Sequence, residues 1–326
     1  MEGKIKWGIL ATGDIAKKFA AGLKVLPDAG LVAVGSRTME AAEKFGRQFG
    51  IPSCHGSYQE LASDPEVDVV YIATPHSLHK ENCLMCLKAG KAVLCEKPFA
   101  INAGEAREMV DMASREKLFL MEAMWTRFIP SIQQAQAWIN EGVIGEVRMV
   151  EAGFGYRDQV GITYDPNLGG GSLLDVGVYP ITIADIAFKG PPQKIASFAH
   201  VAGGIDEQAA IIFSYEGGGL ALLSSAVRTR TQGDALIMGT EGMIKIHEPF
   251  WRSKKLSLMV PGKEEEQLDV PMLGNGYNYE AAEVMGCMRA GKLESEVMPL
   301  SKTLEVMVIL DAIRGQWGLK YPGERA

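Results

Sequence analysis

The sequence predicts an α/β protein. Its N-terminal part is expected to be a doubly wound parallel sheet of the Rossmann type, and its C-terminal part an α+β domain with a mostly antiparallel open sheet. Three observations predict this: strands and helices alternate through the first third of the chain, a glycine turn follows the first strand, and later strands mostly lack helices between them. We therefore divide the 326 residues into domains at 1–122 and 123–326.

The composition is that of a globular protein, with 47% hydrophobic and 22% charged residues. The net charge of -7 disfavours a nucleic-acid partner. No apolar run approaches the roughly 18 residues of a membrane helix, and the first residues do not resemble a secretory signal. The five cysteines form an odd count without disulfide spacing. We expect a cytoplasmic protein with free thiols that acts on a small molecule, away from membranes.

The first domain is predicted from apolar runs that alternate with helical spacing. Strands of a parallel sheet are buried on both faces, so they read as continuous apolar runs. The predicted strands are residues 4–10, 31–36, 68–73, 92–95 and 118–121. The predicted helices are residues 14–23, 38–49, 58–62, 79–89 and 103–115.

The second domain shows strands with partial alternation and fewer helices. Its predicted strands are residues 147–155, 194–201, 209–215, 219–227 and 235–239. Its predicted helices are residues 131–141, 171–187, 279–290 and 301–317. The glycine run at 216–219 is typical of a hairpin connection. Loops at 157–168 and 251–278 are expected to shape a substrate pocket.

The turn after the first strand carries a degenerate dinucleotide fingerprint, G-x-G-x-x-G/A. Residues 11–16 place alanine at the first and third positions and Gly13 at the second, where a side chain would keep a pyrophosphate from the backbone. The following helix would offer free N–H groups to the anion. Many tight turns look similar, but the βαβ context favours a cofactor site. The predicted contacts are Ala11, Thr12, Gly13, Asp14 and Ile15.

The end of the second strand favours NADP(H) over NAD. NAD enzymes usually place an acid there for the ribose hydroxyl, whereas this chain has Ser36, Arg37 and Thr38. A guanidinium suits a 2′-phosphate, and the two hydroxyls add donors. The alternative is that Arg37 is an ordinary surface residue and Thr38 only a helix cap.

Four histidine and cysteine residues at helical spacing form a histidine–cysteine stripe and have the residue types of a metal site. His76, His79, Cys83 and Cys86 are zinc ligands by type, but their spacing puts them along one face of a helix. Ligands in a line do not converge tetrahedrally on one ion, so we predict no metal. The N-terminal end of this helix adjoins the carboxyl end of a strand, where open α/β sheets bind ligands. The predicted cofactor contacts there are Thr74, Pro75, His76 and His79.

Two further segments are candidates for the catalytic machinery. Glu96 and Lys97 precede a proline at the end of a predicted parallel strand, over the expected nicotinamide position. Both are predicted cofactor contacts, and Glu96 is expected either to pair with Lys97 or to orient it. Three glycines at 169–171 precede a helix that carries Asp175 and Tyr179 four residues apart, hence on one face. Tyrosine is a known type of general acid–base group, and a neighbouring ammonium lowers the pKa of such a hydroxyl. The alternatives are a surface lysine and an ordinary buried tyrosine.

Together these motifs resemble the glucose–fructose oxidoreductase/inositol dehydrogenase (Gfo/Idh/MocA) family. The resemblance covers nearly the whole chain, and Glu-Lys-Pro at this place is a fairly specific marker of the family. Tyr179 stands where many sugar dehydrogenases of the family carry histidine. With residues 122–128, it is similar to the dimeric dihydrodiol dehydrogenase branch, which includes NADP-dependent D-xylose dehydrogenases.

The resemblance implies an NADP(H)-dependent dehydrogenase or reductase of a sugar, polyol or trans-dihydrodiol, with NAD the less favoured cofactor. It implies that Lys97 and Tyr179 form the catalytic pair, that Asp175 positions substrate hydroxyls or the pair, and that the open sheet forms a homodimer or higher homo-oligomer. The implied pocket residues are Trp125, Arg127, Phe154, Asp175 and Tyr179. For Trp125 the alternative is core packing. Two other functions stay open: glycoside cleavage with a tightly bound, recycled NAD, and a regulator that binds NADP(H) without catalysis.

Overall fold

The computed structural model describes residues 3–157 and 161–324. Part of the predicted loop at 157–168 thus lies outside the described residues. The chain forms two compact units. Unit 1 comprises Met1–Trp125 and Leu273–Met307, and unit 2 comprises Thr126–Met272 and Val308–Ala326.

Unit 1 contains a six-stranded parallel sheet. Its strands are β1 (Ile5–Leu10), β2 (Ala29–Gly35), β3 (Ser53–His55), β4 (Val69–Ile72), β5 (Ala92–Glu96) and β6 (Leu120–Ala123). Its helices include α1 (Asp14–Leu23), α2 (Met39–Phe49), α3 (Tyr58–Ala62), α4 (His79–Lys88), α5 (Ala103–Glu116) and α8 (Tyr277–Arg289). The strand order is β3–β2–β1–β4–β5–β6, with every pairing parallel. This order reverses direction at β1, and the crevice at such a switch point is where doubly wound sheets bind nucleotides.

An aromatic stack joins α1 to this sheet. Phe19 on α1 lies between Trp7 on β1 and Tyr71 on β4, with ring centroids 5.2 Å and 3.7 Å away. All three side chains are fully buried. Their packing fixes α1 on the sheet and thereby fixes the turn that precedes it.

Helix α8 also packs in unit 1, although its sequence lies far from the first domain. Asn275 donates a hydrogen bond of 2.7 Å to the carbonyl of Lys18 on α1. Gly22 permits this approach, since a Cβ there would lie 2.9 Å from the Asn275 Oδ1 and 3.1 Å from the Cβ of Tyr277. The predicted domains 1–122 and 123–326 did not include this return of the chain, and that division stays a prediction.

Unit 2 contains an eight-stranded sheet. Its strands are β7 (Val147–Gly155), β8 (Lys194–Ala202), β9 (Ile205–Ser214), β10 (Leu220–Ala226), β11 (Ala235–Gly239), β12 (Met243–Ile246), β13 (Lys255–Met259) and β14 (Glu266–Asp269). The strand order is β14–β13–β12–β11–β7–β10–β9–β8. One face is covered by α6 (Pro130–Asn140) and α7 (Val178–Ala187). The last helix of the chain, α9, spans Leu300–Trp317.

The predicted fold class is confirmed, with differences in detail. Strand β3 was missed because it has only three residues. Strands β13 and β14 lie inside the predicted loop at 251–278, and β12 was missed as well. These strands are four or five residues long and carry a weak apolar signal. β7 and β10 pair in parallel within the otherwise antiparallel sheet, which follows from chain topology rather than from strand composition.

The predicted helix at 171–187 is two elements. A π-helical turn, Leu173–Gly177, leads into α7. Such turns are rare and often occur at functional sites. Periodicity does not reveal them, because they add a single residue to a helical pattern.

Within residues 3–157 and 161–324, no helix is long and apolar enough to cross a membrane. Over the same ranges, no three His, Cys, Asp or Glu side chains are grouped so that they could hold a metal ion. Cys83 and Cys86 of the histidine–cysteine stripe are buried in unit 1, and burial raises the pKa of both thiols.

Candidate active site

The turn between β1 and α1 has the shape of an anion-binding cradle. Gly13 is the N-cap residue of α1, so the first amides of that helix meet no capping side chain from this position. A Cβ on Gly13 would find no described atom within 4 Å, which leaves open space over the turn. The side chain of Asp14 is largely exposed and pairs with Lys17 at 2.8 Å. This arrangement fits a pyrophosphate, and the predicted role of Asp14 is then carried by its backbone.

Ala11 adopts a backbone conformation that glycine normally supplies. Its φ is 88°, in the left-handed region where an L side chain is strained. This explains the usual preference for glycine at the first fingerprint position. Strain of this kind is often retained at ligand-binding turns.

The end of β2 presents the groups predicted to select the cofactor. Ser36 is buried and its Oγ lies 3.3 Å from the Oγ1 of Thr12, which joins the two turns. Arg37 is exposed to solvent. Thr38 caps α2 by accepting a hydrogen bond from the amide of Ala41, as the alternative interpretation of Thr38 expects. Arg37 is therefore the residue of this segment best placed to meet a phosphate.

His79 connects the ends of two strands. Its Nδ1 lies 2.8 Å from the carbonyl oxygen of Pro98, and its Nε2 lies 2.9 Å from the carbonyl oxygen of Thr74. The ring is fully buried, and burial lowers the pKa of His79 to about 4. A neutral ring carries one N–H, so it donates to one of these carbonyls at a time. Because backbone oxygens occupy both nitrogens, this geometry argues against the predicted direct contact of His79 with a cofactor.

Lys97 follows a buried acidic cluster. One carboxylate oxygen of Glu96 accepts a hydrogen bond from the Tyr71 hydroxyl, and the other accepts the Lys97 backbone N–H at 3.2 Å. Glu280 on α8 is fully buried, and neither of its carboxyl oxygens has a hydrogen-bond partner within the part of the chain that the structure describes. Burial, followed by the charge of Glu96, raises the pKa of Glu280 well above its ordinary value. Glu96 thus contacts the backbone of Lys97, and burial together with the Glu96 charge favours the protonated form of Glu280.

In unit 2, an aromatic wall lies at the end of β7. Phe154 stacks on Trp251, with ring centroids 3.5 Å apart and planes 9° from parallel. The ring centroid of Tyr179 lies 5.4 Å from that of Phe154. Phe250 closes the cluster against both Phe154 and Trp251. Aromatic faces of this kind suit an apolar sugar face or a carbocyclic ring.

Asp175 and Tyr179 both meet this end of β7. The Tyr156 hydroxyl donates a hydrogen bond of 2.6 Å to the Oδ2 of Asp175 and lies 3.1 Å from the Oγ1 of Thr163. Phe154 and Tyr156 are two residues apart on the chain, so they lie on the same side of an extended backbone. The contacts of Asp175, in the π-helical turn, and of Tyr179, at the start of α7, therefore converge on one side of the chain.

Two predicted pocket residues have partners within their own units. Trp125 stacks on Tyr277 of unit 1, with ring centroids 4.6 Å apart and planes 12° from parallel. Arg127 forms a buried ion pair with Asp185 on α7, the two side chains being 8% and 6% exposed. The Arg127 charge is thus balanced by a carboxylate of the protein. This favours a structural role for Arg127 over the predicted contact with substrate.

Sequence reasoning missed four residues of these clusters. Tyr156 had a usable signal, because it follows Phe154 at the two-residue repeat of a strand. Trp251 and Tyr277 stood in a segment interpreted as a loop. Glu280 stood on a helix that was assigned to the other domain.

The family profile described as "Oxidoreductase family, NAD-binding Rossmann fold" matches residues 5–124, and the GFO/IDH/MocA C-terminal domain profile matches residues 132–245. The chain is 37% identical to trans-1,2-dihydrobenzene-1,2-diol dehydrogenase of Xenopus tropicalis, over 97% of this chain and 99% of that protein. It is also 37% identical to the Homo sapiens protein of the same name, over 98% and 99% of the two chains.

Two solved structures are similar over nearly their whole length. Aldose-aldose oxidoreductase from Caulobacter crescentus, complexed with glycerol, has a TM-score of 0.89 at 22% identity, over 97% of this chain and 98% of that chain. A 3-ketoreductase from Actinomadura kijaniata, in complex with NADP and TDP-benzene, has a TM-score of 0.86 at 25% identity, over 96% and 98%. The predicted enzyme class, a dehydrogenase or reductase, is confirmed. The chain belongs to the Gfo/Idh/MocA oxidoreductase family and carries its NAD(P)-binding Rossmann domain.

Proposed function

We propose that this protein is an NADP(H)-dependent dehydrogenase or reductase of a CH–OH group on a trans-dihydrodiol, with sugars and polyols as related substrates. The observation that carries the proposal is the convergence of Asp175 and Tyr179 on the aromatic end of β7. It combines a carboxylate, a phenolic proton donor and flat apolar surface. A cyclic diol needs these same three features for its hydroxyls, its reacting proton and its ring.

The relatives support the substrate class. The full-length proteins at 37% identity are named for a trans-dihydrodiol. The 3-ketoreductase at 25% identity binds NADP and is named for the reverse chemistry, reduction of a ketone. The two names describe opposite directions of one reaction type, and neither fixes the direction in this protein.

The residues of unit 1 fit a nicotinamide dinucleotide. The backbone at Gly13 and the first turn of α1 would hold the pyrophosphate, and Arg37 with Ser36 would hold a 2′-phosphate. We keep Thr74, Pro75 and His76 as proposed contacts. We reassign His79 as a residue that positions the loop before Lys97. When bound, the cofactor supplies or accepts the hydride.

In this proposal, side chains of the protein transfer the proton of the reacting hydroxyl. We propose that Tyr179 donates or accepts the proton of the reacting hydroxyl and that Lys97 acts with it, as the family resemblance implies. Asp175 accepts hydrogen bonds through its carboxylate, one of them from Tyr156, and would orient a substrate hydroxyl with the other lone pairs. We propose that the aromatic wall excludes water from the proton transfer, which would strengthen these polar contacts.

We also propose that two copies of the chain associate through the open face of the unit 2 sheet. Leu222 on β10 pairs directly with Ile212 on β9, and Leu220 pairs with Met149 on β7. All four side chains are exposed, and Phe198 on β8 is 82% exposed. A contiguous exposed apolar patch marks an association surface. Light scattering should give a dimer, and Phe198→Asp should give a monomer. A monomeric wild type would contradict this part.

The test of the proposed function is nicotinamide absorbance during turnover. Purified protein is mixed with NADP⁺ or NAD⁺ and with trans-1,2-dihydrobenzene-1,2-diol, D-xylose, D-glucose or inositol. We expect reduction of NADP⁺ with the diol and slower reduction with a sugar. Turnover with inositol or D-glucose but not with the diol would contradict the trans-dihydrodiol as the main substrate. A cofactor that copurifies and resists dialysis would instead favour glycoside cleavage. A cytoplasmic location remains part of the proposal and depends on composition alone.

A further inference from the structure

Asp206 is a buried carboxylate that meets the start of the segment carrying Asp175 and Tyr179. It lies near the beginning of β9 and is fully buried. Its Oδ2 accepts a hydrogen bond of 2.7 Å from the Ser172 hydroxyl and another of 2.7 Å from the backbone N–H of Leu173. The Ser172 hydroxyl also lies 2.8 Å from that of Ser225 on β10. One side chain therefore ties the strands of the sheet to the first residue of the π-helical turn.

This contact is a helix cap supplied from a distant part of the chain. The first amides of a helix have no partner within it, and a carboxylate near them also interacts favourably with the helix dipole. Leu173 is the first residue of the π-helical turn, Asp175 lies inside that turn and Tyr179 begins the second turn of the segment. The position of Leu173 therefore sets the positions of Asp175 and Tyr179.

The glycine loop before this helix is built closely around the same carboxyl group. Gly171 has a φ of 116°, and a Cβ on it would lie 2.3 Å from the Oδ1 of Asp206 and 3.1 Å from the hydroxyl of Tyr321. Tyr321 donates a hydrogen bond of 2.5 Å to the carbonyl of Gly170. Only glycine fits at 171, which explains part of the glycine run that the sequence showed. The loop is held from both sides, by Asp206 and by the C-terminal segment.

We propose that Asp206 is a positioning residue: it fixes the start of the helical segment so that Asp175 and Tyr179 reach the reacting hydroxyl in the productive geometry. This inference rests on the proposed roles of those two residues. A displacement of about 1 Å at a reacting group can cost about 100-fold in rate. Loss of the cap would leave the Leu173 N–H and the Ser172 hydroxyl buried without their acceptor.

The ionisation of Asp206 predicts a pH dependence of kcat, which is a second test of the proposal. Burial raises its pKa to about 6, while the Ser172 hydroxyl and the Leu173 amide oppose that shift, as does the positive charge of Arg314. Arg314 on α9 faces Asp206 and is itself paired with Asp311 and Glu324. The Tyr321 hydroxyl is the other titratable group nearby, and its pKa lies above its ordinary value. Below about pH 6 the cap loses its charge, so kcat should fall with an inflection that Asp206→Asn removes.

The experiment compares Asp206→Asn and Asp206→Ala with a matched control, Asp234→Asn. Asp234 lies in the same unit and likewise accepts a backbone N–H, from Glu248 at 2.6 Å, but it contacts Lys245 rather than the helix. For each protein we measure kcat and KM with NADP⁺ across pH, the Kd for NADPH, and hydrogen exchange of peptides covering residues 173–187. Asp206→Asn keeps the shape of the side chain, so it tests the proposal even if Asp206→Ala does not fold.

We expect both Asp206 variants to lower kcat by about 10- to 100-fold, with an unchanged Kd for NADPH and faster exchange at the start of the helical segment. We expect the control to keep the kcat of the wild type. Retained kcat in Asp206→Asn, together with lost turnover in Tyr179→Phe, would overturn the positioning role and leave the proposed function standing. Retained turnover in Tyr179→Phe would overturn the proposed function itself. A loss of kcat in Asp206→Asn without faster exchange would also overturn the positioning role.

Discussion

The hydroxyl of Tyr156 donates a hydrogen bond of 2.6 Å to the carboxylate of Asp175. Tyr156 directly follows β7, the strand that carries Phe154, and Asp175 lies in the π-helical turn that precedes Tyr179. This single bond links the aromatic wall of the site to its acidic group. It also gives a direct way to separate substrate orientation from cofactor binding.

Replacing Tyr156 by phenylalanine should reduce kcat/KM for the diol by about 3- to 10-fold. A hydrogen bond to a charged group contributes about 1.5–3 kcal/mol, and we expect part of this to be lost from substrate orientation because Asp175 then turns more freely. The Kd for NADPH should not change, since the bond lies wholly within unit 2. Tyr164→Phe is the matched control, because its hydroxyl binds a backbone carbonyl, that of Val227, at 3.0 Å. Equal losses in the two variants would contradict a specific role for Tyr156.

Arg37→Ala should raise KM for NADP⁺ by about 10- to 100-fold and change KM for NAD⁺ by less than about 3-fold. Hydrogen bonds to a charged group contribute about 1.5–3 kcal/mol, and only NADP⁺ has the 2′-phosphate. Arg47→Ala is the control: this arginine lies on α2, is 71% exposed and pairs with Glu43. An equal effect of Arg37→Ala on both cofactors would contradict the predicted NADP preference.

Ala11→Gly should raise the free energy of unfolding by about 0.5 kcal/mol. Alanine in the left-handed region costs about 1–2 kcal/mol, whereas the greater freedom of glycine in the unfolded chain costs about 0.5–1 kcal/mol. Relief of strain is therefore the larger effect. Ala16→Gly, inside α1, should lower the same free energy by about 1 kcal/mol. Urea titration measures both, and a destabilised Ala11→Gly protein would show that the turn is not strained.

Glu280→Gln should make the protein more stable relative to wild type as the pH rises from about 5 to about 8. The pKa of Glu280 is raised in the folded state, so the folded protein keeps a proton that the unfolded chain releases above about pH 4.5. Glu280 therefore contributes to the free energy of unfolding of the wild type at low pH, and this contribution is lost as the pH rises toward the pKa of Glu280 in the folded state. Glutamine keeps the shape without the proton equilibrium.

The matched control for this prediction is Glu108→Gln on α5, whose side chain is 60% exposed. Its effect on the thermal midpoint should not depend on pH. A constant difference in midpoint between Glu280→Gln and wild type across the pH range would contradict a protonated Glu280.

The predictable parts of the fold are those with strong local signals. The apolar runs of β1, β2, β4 and β5 and the helices between them follow from composition, because buried parallel strands need apolar side chains on both faces. The parallel pairing of β7 with β10 does not follow, since it depends on where the chain returns. The same is true of α8, whose own sequence does not indicate that it packs against α1.

The residues of the candidate site also fall into those that a local sequence signal predicts and those that depend on distant contacts. Tyr179, Asp175 and Phe154 were predicted by motif and resemblance, and Tyr156 could have been found by extending the strand repeat. Asp206 could not, because the two glycines before Ile205 indicate only a turn, and the partners of Asp206 lie more than 30 positions away in sequence. The ion pair of Arg127 with Asp185, and the contacts of the His79 ring with two backbone carbonyls, were also not predictable from the sequence.

The central claim is that Tyr179 transfers the proton of the reacting hydroxyl, and Tyr179→Phe tests it most directly. The measurement is turnover of NADP⁺ with trans-1,2-dihydrobenzene-1,2-diol by nicotinamide absorbance, alongside the Kd for NADPH. General acid–base groups typically contribute about 100- to 10,000-fold in rate, so we predict a loss of that size in kcat with an unchanged Kd. A Tyr179→Phe protein that keeps the wild-type kcat would contradict the proposed mechanism.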